Sequence, residues 1–540
     1  MWVDIYEAPG IEEKPIQAEV PREDQSPNAV RRHLLRKGAQ LASVEDPQAL
    51  AAAIAAEAPV LRRAAHMGWR DDDDTFVSHR FVSPAEMDVS IIPPECPMVG
   101  AAGQLQIRGT LEIWQGLVAV SQYSTTLVVA LCAVFAAPLL ALLRRPSFAL
   151  VFFGPSRIGK SFAQLVAGSA LGFGREEDLP SLNATPAGLL AAGLGFNDHM
   201  LPINEIGTAR GPKSEVYVTL RDSTYSLMNG QDTIRHPSWT GDGEAPSTFR
   251  VICLLSSEIS PDAWAARNGE TRDDGEMARL IGVPVLNAGS QTIFDRPPTE
   301  LTAEGLSEWE KGQFQRLRQS LPENRGIAFR EFIDWLVIDV EKNVALTRSR
   351  VASFEAHFAD ASMTAVGRDI VAKFGILWAA GILAVDAGIL PLGRRAIGPV
   401  IIQACRAALA ELPDPQNELR ADRTALKEHL AGRTIIDLEA CSRKEQRLMR
   451  DADGFHRPRR ESGGEEYVVR AQEFSAWFGT PVRVRRLLEW LDDEGLLDHG
   501  RDRTTKRSNE WAQKQVTWPD DTRVRSISLY LPGGLSDLDR

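Results

Sequence analysis

Residues 148–168 read FALVFFGPSRIGKSFAQLVAG. An uncharged apolar run of strand length breaks at Gly154, passes through Gly154-Pro155-Ser156-Arg157-Ile158-Gly159-Lys160-Ser161, and resumes with Phe162, Leu165, Val166 and Ala170 at helical spacing. The break satisfies GxxxxGK(S/T) in full, between a predicted strand and a predicted helix, the setting that gives this pattern its physical meaning. Glycines let the backbone curl so that successive N–H groups converge on phosphate oxygens, and the following helix adds the positive end of its dipole. Lys160 would bridge the outer phosphates. The Ser161 hydroxyl would take one Mg²⁺ position, leaving the others to water and phosphate, as this small hard ion prefers. The stretch therefore predicts a site for ATP with Mg²⁺, built from residues 154–162, in an α/β P-loop domain of the nucleoside triphosphatase type with a largely parallel sheet.

Two further apolar runs carry chemistry at their ends. Hydrolysis needs an acid strand, with one group to hold the metal through water and one to polarise the attacking water. HMLPINE at 199–205 supplies Glu205 as the base, with Asn204 in the metal position usually held by aspartate. An amide oxygen accepts a hydrogen bond from a metal-bound water but carries no charge, so weaker Mg²⁺ affinity and slow hydrolysis are expected. Pro202 is an oddity there, because proline removes a ladder donor. FRVICLLSSE at 249–258 ends in Ser256, Ser257 and Glu258, where a polar residue can sense the γ-phosphate. Arg279 in MARLIGVPV and Arg235 in NGQDTIR are candidates for an arginine that reaches a phosphate, including one on a neighbouring subunit.

Outward from this engine, 540 residues suggest two to four domains at roughly 150 residues each. With 44% apolar and 25% charged residues, the chain has the composition of a folded globular protein. Its five cysteines, Cys96, Cys132, Cys253, Cys405 and Cys441, are scattered, which suits buried thiols in a reducing compartment better than a disulfide framework or a metal knuckle. MWVDIYEAPGIEEKP has no basic segment followed by an apolar one, so the cytoplasm is the expected location. TLVVALCAVFAAPLLALL at 126–143 is uncharged and near the lower limit of a membrane span, but its alanines, Pro138 and the strand that follows favour a helix buried beneath the sheet. Residues 1–110 form a small N-terminal α+β region in which HMGWRDDDDTFVSHRFVSP predicts two short strands around an acidic turn. Residues 111–300 form the core and 301–415 a helical bundle, and the polar stretch ELPDPQNELRADR at 411–423 is the expected linker.

Net charge is −12, yet residues 421–540 hold 22 basic and 22 acidic side chains, so the whole excess lies upstream. In that tail, YVVRAQEFSAWF, a Gly-Thr-Pro turn, VRVRRLLEWL, a basic stretch and the strand RVRSISLYL follow the order of a winged helix-turn-helix over 424–540. Arg483, Arg485 and Arg486 would open the recognition helix, and Lys506 and Arg507 would lie in the wing, positioned for nucleic-acid phosphates. The same module could equally serve protein contacts, given the acidic LDDEGLLD that follows.

Gly68-Trp69, FAAPLLALL, GPSRIGKS with LVAGSALGFG, LPSLNATPAGLLAAGLGFNDHMLPINEIG, LMNGQDTIR, FRVICLLSSE and ARLIGVPV occur in this order. Together they resemble the family called domain of unknown function 927, found in phage, plasmid and integrated-element proteins and akin to the superfamily 3 hexameric helicases. The resemblance implies a ring-forming, homo-oligomeric ATPase that moves or remodels DNA, with Asn183 and Thr185 near the nucleotide and Asn229 to Arg235 near a subunit boundary. Two functions remain open: a DNA-directed motor of helicase type, and a nucleotide-gated assembly or switch protein that hydrolyses slowly. A membrane-anchored ATPase would depend on residues 126–143 alone.

Overall fold

The computed structural model describes residues 2–5, 16–19, 26–36, 62–64, 66–70, 74–88, 91–94, 105–182, 185–204, 216–230, 248–268, 270–285, 291–360, 363–413, 415–442, 451–459, 463–479, 481–498 and 509–539. The chain divides into two compact units, Met1–Ala64 with Ala85–Ile92, and Ala65–Pro84 with Pro93–Arg540. In the first, β1 (Trp2–Ile5) pairs antiparallel with β2 (Ile16–Glu19), and β3 (Arg62–Arg63) runs parallel to β7 (Ile91–Ile92). Helix α1 (Pro27–Arg36) buries Ala29, Val30 and Leu34 on one face, Val30 and Leu34 being four residues apart. Helix α2 (Ala85–Asp88) completes this unit.

The second unit begins with three two-residue antiparallel strands, β4 (Gly68–Trp69), β5 (Phe76–Val77) and β6 (Val82–Ser83), one more than the sequence pattern predicts. Gly68-Trp69 is an anchor. The Trp69 amide donates to Asp198 Oδ2 (3.1 Å) and its indole to the Pro138 carbonyl (2.7 Å). Gly68 holds φ +87°, and a Cβ there would lie 2.2 Å from Asp198 Oδ2, so no other residue lets the strand approach so closely.

Behind the anchor, His199 is buried and His79 half-buried, with ring centroids 5.2 Å apart, among Phe76, Phe196 and Phe329. Desolvation holds the His199 imidazole down at about 4, and desolvation together with the neighbouring His199 keeps His79 well below the usual histidine range. Unfolded imidazoles take up protons near pH 6.5, whereas His199 stays neutral until the pH nears 4 and His79 is shifted in the same direction. The unfolded state therefore binds more protons in that window, and stability falls as the pH drops from about 6.5 to 4, by roughly 3 kcal/mol for His199. Denaturant titrations across that range should show the loss, and His199→Gln should remove about one proton from the slope.

At the centre is a four-stranded parallel sheet in the order β11-β8-β10-β9, formed by β8 (Phe148–Phe153), β9 (His199–Ile203), β10 (Val251–Ser257) and β11 (Leu280–Pro284). Its strands read as continuous apolar runs because both faces are covered. Phe148, Leu150, Phe152, Ile252 and Leu254 join one core, while Ala149, Val151, Val251, Cys253 and Leu255 join the other. The sheet order also accounts for Pro202. Strand β9 lies at the edge, and Asn204 N donates outward to Pro180 O (2.7 Å). Amides two residues apart point the same way, so proline withholds its donor on the side away from β10.

Around the sheet lie α3 (Leu111–Val118), α4 (Thr125–Ala136), α5 (Leu139–Leu142), α6 (Lys160–Leu171), α7 (Pro186–Gly195), α8 (Val216–Asn229), α9 (Pro261–Arg267) and α10 (Asp274–Arg279). The uncharged run at 126–143 becomes α4 and α5, and every residue of α4 is buried. Helix α4 packs between the sheet, α6 and the bundle helices α14 (Ala365–Asp386) and α15 (Arg394–Ala410). Helix α14 comes so close that a Cβ on Gly381 would lie 2.5 Å from Cys132 Sγ. Among the described residues, no helix is long and apolar enough to cross a membrane. The thiols of Cys132, Cys253 and Cys405 are pushed up to about 12 by burial, as expected of inert core cysteines. Helices α11 (Ala303–Ser320), α12 (Ile327–Val337) and α13 (Val340–His357) precede α14 and α15.

The polar stretch at 411–423 is a linker in part only. Helix α16 starts at Pro415 and runs to Leu430, since proline at the first helical position costs no hydrogen bond. Its Leu426 and Leu430 enter the C-terminal core. That core lies on a five-stranded sheet in the order β12-β13-β14-β16-β15: β12 (Ile435–Asp437), β13 (Gly454–Pro458), β14 (Glu465–Arg470), β15 (Gln513–Thr517) and β16 (Arg523–Leu531). Helices α17 (Ala471–Phe478) and α18 (Pro481–Asp493) follow β14. Tyr467-Val468-Val469-Arg470, however, lie in a central strand, because β-branched and aromatic side chains pack better on a sheet held from both sides than in a helix.

Candidate functional site

The glycine-rich break leaves β8 at Phe153 and enters α6 at Lys160. Gly154 (φ +153°) and Gly159 (φ +107°) take conformations closed to most residues, and Arg157 (φ +65°) is left-handed without being glycine. Such strain is held by its surroundings. Gly154 N donates to Ser257 O (3.3 Å), tying the loop to β10, and Ile293 N donates to Ile158 O (3.0 Å). Lys160 Nζ donates to the carbonyls of Gly154 (2.8 Å) and Pro155 (2.7 Å), so the ammonium lies across the mouth of the loop. No acidic side chain stands in the first turn of α6, so nothing within that turn offsets the positive end of the helix dipole.

The carboxyl ends of three strands converge here, the place where open α/β sheets bind ligands. Ser161 Oγ donates to Asn204 Oδ1 (2.7 Å), and Ser256 Oγ lies 3.4 Å from the same oxygen. Residues from three separate sequence runs thus share one polar cluster. Ser257 is turned aside: its Oγ accepts from the Trp264 indole (2.9 Å). Gln164, one turn into α6 and missed by the motif reading, donates to Ile203 O (2.8 Å) and Leu254 O (2.6 Å) and braces the end of β9 against the middle of β10. The hydroxyl and amide oxygens of Ser161 and Asn204 are the hard, neutral donors that suit a largely water-ligated Mg²⁺. Glu205, Asn183, Arg235, Lys506, Arg507 and Cys96 lie outside the described residues.

A cavity of about 440 Å³ opens over the loop. Ser156, Arg157, Gly159, Lys160, Ser161 and Phe162 line one side, and Ser256, Ser257 and Glu258 line the floor. Glu176, Phe314 and Arg318 complete it. Nothing in the phosphate-loop pattern points to these three, because they come from a short helical turn and from the bundle. Phe314 meets Phe162 edge to face with centroids 4.6 Å apart, and Arg318 pairs with Glu176 (2.7 Å).

Arg279 is at the opposite edge of the sheet. It ends α10 just before β11, whose Leu280 pairs with Ala149 near the start of β8, roughly 13 Å of strand away from the loop. Its guanidinium donates to Gly275 O (3.0 Å) and lies over the Tyr225 ring, 5.4 Å from the centroid. Thr185 is exposed and caps α7, accepting from Gly188 N (3.1 Å), while Asn229 ends α8.

In the C-terminal module, Arg483 and Arg486 turn inward to one carboxylate. Asp422, 1% exposed, accepts from Arg483 Nε (3.1 Å) and Arg486 Nη2 (2.8 Å). These two arginines therefore tie α18 to α16. Arg485 is exposed and pairs with Glu489 on its own helix (2.9 Å). Replacing Asp422 by alanine would remove the buried carboxylate that ties α18 to α16, and should destabilise this module by about 2 kcal/mol, visible as an earlier unfolding midpoint in denaturant.

Residues 15–241 match the family model described as domain of unknown function (DUF927). A solved structure, SCCmec type IV Cch, an active helicase, superposes with a TM-score of 0.60 at 13% identity, over 98% of this chain and 90% of that one. The two share a fold. No curated protein matches the chain.

Proposed function

We propose that the chain binds ATP with Mg²⁺ on residues 154–162 and hydrolyses it to drive movement or remodelling of DNA, as a subunit of a ring-forming homo-oligomer. On this reading it is a helicase or translocase of a mobile genetic element. The observation that carries the reading is the convergence at one sheet edge of the phosphate loop, the Ser161–Asn204 contact and Ser256, beneath a cavity of about 440 Å³. The fold shared with an active helicase supports it.

In this mechanism the loop amides and the α6 terminus hold the phosphates, and Lys160 exchanges the Gly154 and Pro155 carbonyls for phosphate oxygens. Mg²⁺, when bound, neutralises charge on the phosphates. Ser161 and Asn204 would hold it, the latter through water, and Glu205 would take a proton from the attacking water. Ser256 reports the γ-phosphate to β10. Arg279, remote from its own loop, serves the nucleotide of a neighbouring subunit.

Asn204 favours a second reading, a nucleotide-gated assembly or switch protein. Its amide accepts the Ser161 hydroxyl and adds no charge to attract a cation. Turnover measured with and without single-stranded DNA separates the two. The motor is stimulated by DNA. The switch turns over slowly whether DNA is present or not, and Asn204→Asp raises its rate roughly tenfold, about 1.4 kcal/mol of transition-state stabilisation.

A further inference from the structure

Resting on the ATP reading above, we infer that Phe314 and Arg318 of the bundle, backed by the buried Phe162, form the wall that takes the nucleobase, and that Glu176 positions Arg318 for it. The polar half of the cavity accounts for a polyphosphate and its metal. It does not account for the other half, where the Phe314 ring and the Arg318 guanidinium face the same space above the buried Phe162. Arg318 follows Phe314 by one helical turn, so both share a face of α11. The Arg318 guanidinium lies 5.4 Å from the Phe162 centroid and 5.7 Å from that of Phe314. A planar, delocalised, weakly hydrated cation beside aromatic faces suits stacking on a flat heterocycle.

The wall is also held at a fixed distance from the phosphates. A Cβ on Gly159 would lie 3.1 Å from Phe314 Cε1 and from Ile293, so α11 packs directly on the loop. Ile293 is hydrogen-bonded to Ile158. Phe314 therefore cannot drift from the place where a base attached to a loop-bound triphosphate would lie. Arg318 is 54% exposed and Glu176 25%, and an ion pair so open to water adds little stability. Its consequence is orientation: Glu176 keeps a long side chain folded over the rings instead of extended into solvent. Past Phe314 and Arg318, a second hollow of about 450 Å³, lined also by Lys311, Gln315 and Gln319, gives the base room.

The test is calorimetric binding of ATP and of inorganic tripolyphosphate, each with Mg²⁺, to the full chain and to its Arg318→Ala, Phe314→Leu and Lys160→Ala variants. Leucine keeps the packing against Gly159 and removes the aromatic face. Arg318→Ala and Phe314→Leu should each weaken ATP roughly tenfold and leave tripolyphosphate within about twofold. Lys160→Ala should weaken both ligands. If the two wall variants weaken ATP and tripolyphosphate equally, or neither, the nucleobase assignment is overturned while the phosphate loop stands. If the unaltered chain binds neither ligand, it is the phosphate-loop reading that falls.

Discussion

Replacing Arg279 with alanine is expected to lower ATP turnover about a thousandfold while leaving ATP affinity within about twofold. The expectation comes from topology. The sheet is parallel, so every strand delivers its carboxyl end to the loop side, and Arg279 stands at the amino end of β11. No rotamer brings its guanidinium across the sheet to its own cavity. Its setting nevertheless suits a residue held ready for something outside: the Tyr225 ring supports it from below, and the Tyr225 hydroxyl is itself fixed by Asp273 (2.7 Å). An arginine supplied across a subunit boundary stabilises charge in the transition state and contributes little to ground-state binding, so the loss should fall on turnover. Mixing sharpens the expectation. Arg279→Ala subunits retain an intact loop and Lys160→Ala subunits an intact arginine, so an equimolar mixture should recover part of the turnover that neither has alone. Equal loss of affinity and turnover, with no recovery on mixing, would assign Arg279 to structure.

The second large effect belongs to Lys160. Its ammonium rests on two backbone carbonyls at the loop mouth, bonds that a phosphate's charged oxygens would replace with stronger ones. Alanine at that position should reduce turnover a thousandfold or more, because the charge developing between the outer phosphates loses a donor aimed at it. The substitution should fold normally. The Lys160 side chain has no part in the apolar cores, and Phe162, Leu165 and Val166, which hold α6 to the sheet, are untouched. Thermal unfolding within about two degrees of the unaltered chain would separate lost chemistry from lost structure.

How much of this was legible in the sequence differs by element. The strand, loop and helix at 148–171 follow from local pattern, since glycine punctuation and apolar period both act over a few residues. Burial of 126–143 was also readable, from Pro138 and the strand that follows. Strand order was not, and it is strand order that explains Pro202 and sends Arg279 to the far edge. Glu176, Phe314 and Arg318 were invisible because they reach the cavity from elements distant in sequence, and no spacing rule links a bundle helix to a phosphate loop. The C-terminal arginines mislead for a related reason. A run such as Arg483-Val484-Arg485-Arg486 reads as a basic surface, but two of its members meet a buried carboxylate more than sixty residues upstream, a pairing that only the packing of α16 on α18 reveals. The extra strands of the C-terminal sheet went unread because Tyr467 to Arg470 run straight into a helix, and the sheet-favouring residues there are too few to set a period of two on their own.

Everything proposed for this chain depends on the loop at 154–161 holding a polyphosphate, and titration calorimetry of ATP with Mg²⁺ against the intact protein, with Lys160→Ala beside it, measures that directly. One ATP per chain should bind with micromolar affinity, weakened about a hundredfold by the substitution, roughly 2.7 kcal/mol. No heat of binding in the intact chain, or identical binding in both proteins, would contradict it.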